Sequence, residues 1–370
     1  VGALRYLPWG FSIIFIVKGG FVMFYEERCT LCGDCLVKCP YLAYPEEKAK
    51  MEFKKLIDGE PTPITAECIT CAACNMFCPE GANPFDLIND RQEETGTFKV
   101  TEQALAMMGM ADQLPSEVIE GDPGRPAMNL CSVGDFLPGV IEGQLFEGLT
   151  LIKGGDYFCY VGWIHVGKPS MVKENARKFV DNLAATGAEE IICYHDDCYV
   201  VLAKKAEELE IEVPFKVTHI IEYLRDYVKD HPQNVRKLNM KVAYQQPCAS
   251  RYTFEKDGML DELFDLIGVT RVERKFDRSD SLCCGGAMAA MADVPKEVLN
   301  GWRMKNIMDA KDAEAEAMVF LCPMCALGLR NRSKANGLEP YMLSNLVRLA
   351  LGEELVHGGA GKRFELNSER

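Results

Sequence analysis

Cys29, Cys32, Cys35 and Cys39 form a C-x2-C-x2-C-x3-C run closed by Pro40, and Cys68, Cys71, Cys74 and Cys78 repeat it, closed by Pro79. Thiolates are soft, strong ligands for iron and zinc. This spacing puts three of them in one tight loop and a fourth just beyond it, the geometry that a cube of iron and sulfide requires. A second constellation is more dispersed: Cys248, then the pair Cys283-Cys284 followed by Gly285-Gly286, then Cys322-Pro323-Met324-Cys325. Its gaps are 34 residues between Cys248 and Cys283 and 37 between Cys284 and Cys322. Adjacent cysteines diverge, so they serve one tetrahedral ion poorly. They suit a multinuclear site in which each thiolate reaches a different metal or bridges two. Glycines after the pair let the backbone bend close to such a site. A C-x-x-C redox dithiol or a zinc site are the alternatives for this constellation.

The duplicated four-cysteine runs have the spacing of a bacterial ferredoxin with two cubane [4Fe–4S] clusters, in which the fourth cysteine of each run ligates the other cluster. By that rule Cys29, Cys32, Cys35 and Cys78 hold one cluster, and Cys68, Cys71, Cys74 and Cys39 hold the second. The pattern C-x34-CC-x37-C-x-x-C, with two glycines after the pair, resembles the cysteine-rich CCG domain of the B-type and D-type subunits of heterodisulfide reductase. Related domains occur in anaerobic glycerol-3-phosphate dehydrogenase and in lactate-utilisation iron–sulfur subunits. A ferredoxin part placed before CCG repeats is the order of the fused D-type subunit, and the resemblance spans residues 25–350. It implies a noncubane [4Fe–4S] cluster on Cys248, Cys283, Cys284, Cys322 and Cys325, the site at which such reductases cleave a disulfide.

The elements that must position these residues follow from composition and periodicity. The chain has 370 residues, 48% of them apolar, enough for two or three domains. A net charge of −14 excludes a general nucleic-acid binder, since phosphate needs a basic surface. Seventeen cysteines at metal-loop spacing, and not at disulfide-scaffold spacing, imply a reducing, cytoplasmic setting. Residues 1–22 are an uncertain apolar segment, too short and too interrupted to span a bilayer. A buried or partner-docking strand and a membrane-interface segment are two readings of it; because Val1 is not Met and the cysteine pattern begins just after Met23, an over-extended start is favoured. Membrane association is then expected only through a partner.

Residues 23–95 form the ferredoxin-type part, with helices over 46–58 (apolar Met51, Phe53, Leu56) and from Pro84 through Glu94. Residues 96–150, rich in turn formers such as Gly121-Asp122-Pro123-Gly124 and Leu137-Pro138-Gly139, read as a connector with one or two short helices. Alternating strands and helices follow: strands over 156–161, 191–194, 241–246 and 318–321, and helices over 171–186, 199–209, 297–313 and 323–331. The expected fold class is therefore α+β and α/β, a helix-rich ferredoxin part followed by two α/β repeats at 151–240 and 241–352 and a tail at 353–370.

The repeats can be laid over one another by matching Ile191–Cys198 to Met318–Cys325, which sets His195 against Cys322 and keeps Cys198 in place of Cys325. With Trp163 set against Cys248 and no adjacent cysteine pair before Cys283, the first repeat reads as degenerate, its paired-cysteine loop deleted. Of the leftover Cys131, Cys159, Cys193 and Cys198, the last two with His195 form a zinc alternative. The blander reading is buried cysteine, with Cys159 and Cys193 on apolar strands. His165 and His219 read as packing or surface residues, Met107, Met108 and Met110 as core or interface filler, and Asp312–Glu316 as a solvated helix end.

No G-x-G-x-x-G follows a strand and no P-loop is present, so two-electron donors fall to a partner subunit, plausibly flavin-containing. The reading is an iron–sulfur electron-transfer subunit of a heterodisulfide-reductase-like oxidoreductase complex. Catalytic reduction of a disulfide substrate at the noncubane cluster is one alternative. A relay role in a bifurcating acyl-thioester reductase complex is the other.

Overall fold

The computed structural model describes residues 24–132 and 139–356. The apolar segment 1–22, the turn formers Leu137 and Pro138 and most of the tail lie outside the described residues. No helix among the described residues is long and apolar enough to cross a membrane.

The N-terminal part is all helix and loop. The helix Glu46–Asp58 buries Ala49, Phe53 and Leu56, an i, i+4, i+7 stripe. It stops at Gly59, which adopts the left-handed conformation that closes helices. Met51, expected on the apolar face, points out and is 52% exposed; buried Glu52 takes part of that face instead, paired with Lys55 at 2.9 Å. The helix Pro84–Thr95 begins on proline and buries Phe85, Leu87 and Ile88. Its Asn89 and Gln92 are buried too and donate to the carbonyls of Ile164 and Cys68, fastening the helix to two other parts of the chain.

Two sheets follow. The first orders its strands β1–β3–β2–β4–β5, from β1 (Glu117–Ile119), β2 (Ala127–Cys131), β3 (Thr150–Lys153), β4 (Glu190–Cys193) and β5 (Lys216–His219). The second is β7–β6–β8–β9, from β6 (Met240–Gln245), β7 (Val269–Arg271), β8 (Ala317–Phe320) and β9 (Glu339–Met342). All pairings are parallel except β1 with β3. Apart from β1, the two sheets have the same order and directions. Helices lie between most of the parallel strands, whereas the described residues between β2 and β3 are turns and bends. The innermost strands are buried along their length, β2 and β8 without an exposed residue.

Two expectations are corrected. Residues 156–161 are not a strand: Gly155–Tyr157 and Val161–Val166 are 3-10 turns, and the nearest strand ends at Lys153. The run is apolar because it is packed, not because it pairs. A side chain at Gly154, which has φ +105°, would strike the carbonyl of Pro115. Residues 117–150, expected within a connector, supply β1, β2 and the start of β3, so the first α/β unit begins well before 151.

Candidate functional site

Both four-cysteine runs fold alike. Leu31 and Gly33 in the first, and Thr70 and Ala72 in the second, stand at matching positions with positive φ. Successive right- and left-handed residues turn backbone N–H groups toward one centre, an arrangement suited to an anionic group. Cys35 and Cys74 sit on the short helices Asp34–Val37 and Ala73–Phe77 that follow. Cys29, Cys32, Cys35 and Cys78 line one small cavity, so the fourth cysteine of the second run lies beside the first three of the first. Cys74 has Cys68, Cys71 and Cys39 around it. Burial, and then these neighbours together with Cys35, push its thiol up. Burial disfavours ionising several of these thiols together, whereas a bound cation would favour their thiolate forms.

The second constellation assembles from three loops. Cys248 follows β6, Cys283 and Cys284 precede the short helix Gly286–Ala290, and Cys322 caps the helix Pro323–Ala335, with Cys325 in its first turn. The Sγ atoms of Cys248 and Cys283 are 3.7 Å apart. Gly285 has φ +81°, and a Cβ there would lie 2.7 Å from Leu299 Cδ1 and 2.9 Å from Arg303 Nε, so the turn after the pair admits only glycine without rearrangement. Hydrogen bonds from Cys248 and Cys284 hold the Cys283 thiol well below its ordinary range, and the Gly285 N–H donates to the same sulfur at 3.3 Å. Cys322 is likewise lowered, first by Cys325 and then, against its burial, by His195.

Two residues that sequence reasoning missed join these regions. Arg251 is 2% exposed and donates through Nη1 to the Cys71 carbonyl at 2.5 Å and through Nη2 to the Ser281 carbonyl at 2.6 Å. Tyr41, two residues after Cys39, accepts the Cys283 N–H on its hydroxyl at 2.9 Å and packs against Trp302. The Cys39/Cys68/Cys71/Cys74 group is thus the one that abuts the five-cysteine site. No local pattern marks either residue; their roles exist only between segments about 180 and 242 positions apart.

Residues 242–330 match the model of the CCG cysteine-rich domain family. The D subunit of the dihydromethanophenazine:CoB–CoM heterodisulfide reductase of Methanosarcina mazei is 24% identical over 390 residues, covering 89% of this chain and 94% of that protein. Its counterpart in Methanosarcina acetivorans is also 24% identical, over 391 residues. The chain is thus similar over most of its length to heterodisulfide reductase D subunits. The B subunit of the fumarate reductase (CoM/CoB) of Methanothermobacter marburgensis is 23% identical over 362 residues, covering 87% of this chain and 71% of that one. Among solved structures, a hypothetical protein from Helicobacter pylori superposes with a TM-score of 0.56 at 11% identity. It shares the fold over 79% of this chain and 64% of that chain, just under two thirds of its length.

Against the CCG domain the first α/β unit can be placed residue by residue. In the sheets, Asn129 pairs with Cys193 as Gln245 pairs with Phe320, and Cys193 pairs with His219 as Phe320 pairs with Met342. Counting on from these pairs, His195 stands at the place of Cys322 and Cys198 at that of Cys325. Trp163 does not stand at the place of Cys248, as expected from sequence; that place is Ser132, next to Cys131. Nor is the loop of the cysteine pair deleted. Cys159 precedes Tyr160 (φ +61°) and the turn Val161–Val166, as Cys284 precedes Gly285 and the helix Gly286–Ala290. Cys159 is therefore in a loop and not on a strand, whereas Cys193 does lie on β4.

The Sγ atoms of Cys131, Cys159 and Cys198 all come within 4.8 Å of one another. Cys193 and His195, expected to join Cys198, are not in that group. His195 instead caps its own helix, accepting the Asp197 N–H on Nδ1 at 3.3 Å, and acts on Cys322 across the boundary between the units. His219, expected as a packing or surface residue, is fully buried and caps the helix Ile220–Asp230. Its Nε2 lies 3.3 Å from Asp196, which also meets Lys256 at 2.9 Å. Burial would raise Asp196, but Lys256 and then His219 hold it well below the usual carboxylate range.

Proposed function

We propose that the chain is the iron–sulfur electron-transfer subunit of a heterodisulfide-reductase-like oxidoreductase complex. In this reading Cys29, Cys32, Cys35 and Cys78 hold one cubane [4Fe–4S] cluster, and Cys68, Cys71, Cys74 and Cys39 hold the other. Cys248, Cys283, Cys284, Cys322 and Cys325 hold a noncubane cluster. The clusters supply one-electron steps. The chain's own residues fix their spacing and exclude water between them.

The observation that carries the reading is the clasp made by Arg251 and Tyr41. It ties the Cys71 loop directly to the Cys283 loop through buried hydrogen bonds. A dry, rigid contact between two cysteine sites is what electron transfer needs and what disulfide scaffolding or zinc storage does not. Two-electron donors are handled by a partner subunit, plausibly a flavoprotein.

The relatives' names point to a heterodisulfide as substrate of the assembled complex. Whether this chain cleaves it alone is decided by an assay with reduced viologen as donor and a heterodisulfide as acceptor. Thiol release by the anaerobically prepared, iron-replete chain assigns catalysis to the five-cysteine site. No release from such a preparation assigns it a relay role, which the loss of donors from the first α/β unit favours.

A further inference from the structure

Within the second α/β unit Arg271, Arg274, Arg278 and Arg348 each meet a carboxylate. Arg303 and Arg332 do not. Arg303, on the helix Lys296–Asp312, donates from Nε to the Cys284 carbonyl at 3.1 Å and from Nη2 to the Gly285 carbonyl at 3.4 Å. Arg332, on the helix Pro323–Ala335, donates from Nη1 to the Gly328 carbonyl at 3.2 Å and from Nη2 to the Asn300 side-chain oxygen at 2.7 Å. All four acceptors are neutral. Among the described residues neither guanidinium forms an ion pair, in a chain whose net charge is −14.

The two side chains converge on the backbone of Gly328. A Cβ there would stand 3.4 Å from Arg303 Nη2 and 3.4 Å from the Cys284 carbonyl oxygen, and Arg332 holds the Gly328 carbonyl. Glycine leaves open the space that a side chain would fill. Burial, and then the charge of Arg332, push Arg303 below its ordinary value, so the two cations stand close enough to oppose one another. Neutral carbonyls do not relieve that opposition, whereas an oxyanion between the cations does. A guanidinium presents its N–H donors in a planar fork that matches the oxygens of a carboxylate or a phosphate. Leu327, next to Gly328, is 37% exposed and Asn300 is exposed, so the place is open to solvent.

We propose that Arg303 and Arg332 form an oxyanion-binding site, filled by a free phosphate-like anion or by the carboxylates of an acidic segment on a partner protein. The guanidinium that takes the anion also holds the carbonyls of Cys284 and Gly285, so binding stiffens the turn that carries the cysteine pair. The surrounding negative charge of the chain makes this local cationic pair the place where an anion is accepted. The inference does not depend on the redox reading, because neither arginine is among the proposed cluster ligands.

The test is equilibrium dialysis of the full, iron-replete chain, prepared without oxygen, against radiolabelled inorganic phosphate at fixed ionic strength. Saturation at a single site per chain is expected. Arg332→Gln, at a side chain that touches neither Cys284 nor Gly285, should weaken binding about tenfold or more and keep the iron. Arg303→Gln should weaken it as much; if that variant loses iron, Arg332→Gln decides the matter alone. Arg278→Gln, at a guanidinium already paired with Asp257 and Asp261, should leave binding unchanged. A six-residue glutamate peptide separates the two sources. Displacement of phosphate by the peptide, but not by the same amount of free glutamate, assigns the site to an acidic segment; phosphate that the peptide does not displace assigns it to a free anion. A folded, iron-replete chain that binds neither phosphate nor the peptide overturns the proposal. So does binding that is unchanged in folded Arg332→Gln.

Discussion

The orders β3–β2–β4–β5 and β7–β6–β8–β9 are one topology used twice, yet the loops of the first bring three thiols together and the loops of the second carry five. The scaffolds are interchangeable at the level of strands: same order and directions, innermost strands buried, cysteines in the loops that follow the strands. The contents differ because donor number is set by single side chains. His195 for Cys322 and Phe158 for Cys283 remove two sulfurs without disturbing a strand. The units also meet the N-terminal helical part differently. The second meets it through the Arg251–Tyr41 clasp. The first meets it across a cavity of about 440 Å³ lined by Asp86, Asp90, Lys205, Glu208 and Tyr252 among others. There Lys205 sits between Asp86 at 2.8 Å and Glu208 at 3.0 Å. One contact is a tight bridge between cysteine loops; the other is an open junction with charged side chains at its wall.

The largest expected effect breaks the five-thiol half of the comparison. Cys284→Ser should abolish the noncubane signal in electron paramagnetic resonance and remove about four of about twelve irons, leaving the ferredoxin-type signals unchanged. Disturbed ferredoxin-type signals would mean that the two regions are not separate sites.

Next is the clasp. Arg251→Leu leaves the buried carbonyls of Cys71 and Ser281 unpaired, and should cost about 3 kcal/mol in denaturant unfolding and slow electron delivery to the five-cysteine site. Unchanged stability and an unchanged transfer rate would show that the clasp joins nothing of consequence.

The junction at the first unit should instead show itself in pH dependence. Burial, and then Asp86 and Glu94, push the Asp90 carboxyl up to about 8. The folded chain therefore keeps that proton over a range where the unfolded chain, with a pKa of about 3.9, has released it. Stability is unpenalised below about pH 4 and is lost as pH rises toward 8, by at most about 1.4 kcal/mol per pH unit. Asp90→Asn should flatten this slope in unfolding measured from pH 5 to 8, and a parallel slope in both proteins would contradict it.

The smallest effect tests the turn after the cysteine pair. Gly285→Ala should destabilise by about 1–2 kcal/mol, from left-handed backbone and the approach to Leu299, while Tyr160 already tolerates the same conformation in the first unit. A neutral substitution would show that the glycine is not required by the backbone.

Much of the fold was legible because its signals are local. The helix over 46–58 was read to the residue from its apolar residues, and the segments near 191–194, 241–246 and 318–321 are strands shifted by one position. The strands β1, β2 and β3 escaped because three to five residues carry too little periodicity, and because glycine-rich turns surround them. The false strand over 156–161 shows the converse: an apolar run announces burial, not the partner that buries it. Missing β2 also misplaced the counterpart of Cys248, and with it the group that Cys198 joins.

What the sequence by itself determined are the two four-cysteine runs and the C-x34-CC-x37-C-x-x-C pattern, since loop spacing and adjacency are properties of a few consecutive residues. Only the tertiary structure decided that Cys131, Cys159 and Cys198 meet, that His195 faces Cys322, and that Arg251 and Tyr41 join two cysteine sites. Those contacts depend on which strand ends a parallel sheet brings side by side. Strand order is a choice made by the packing of the whole chain, and no single segment records it.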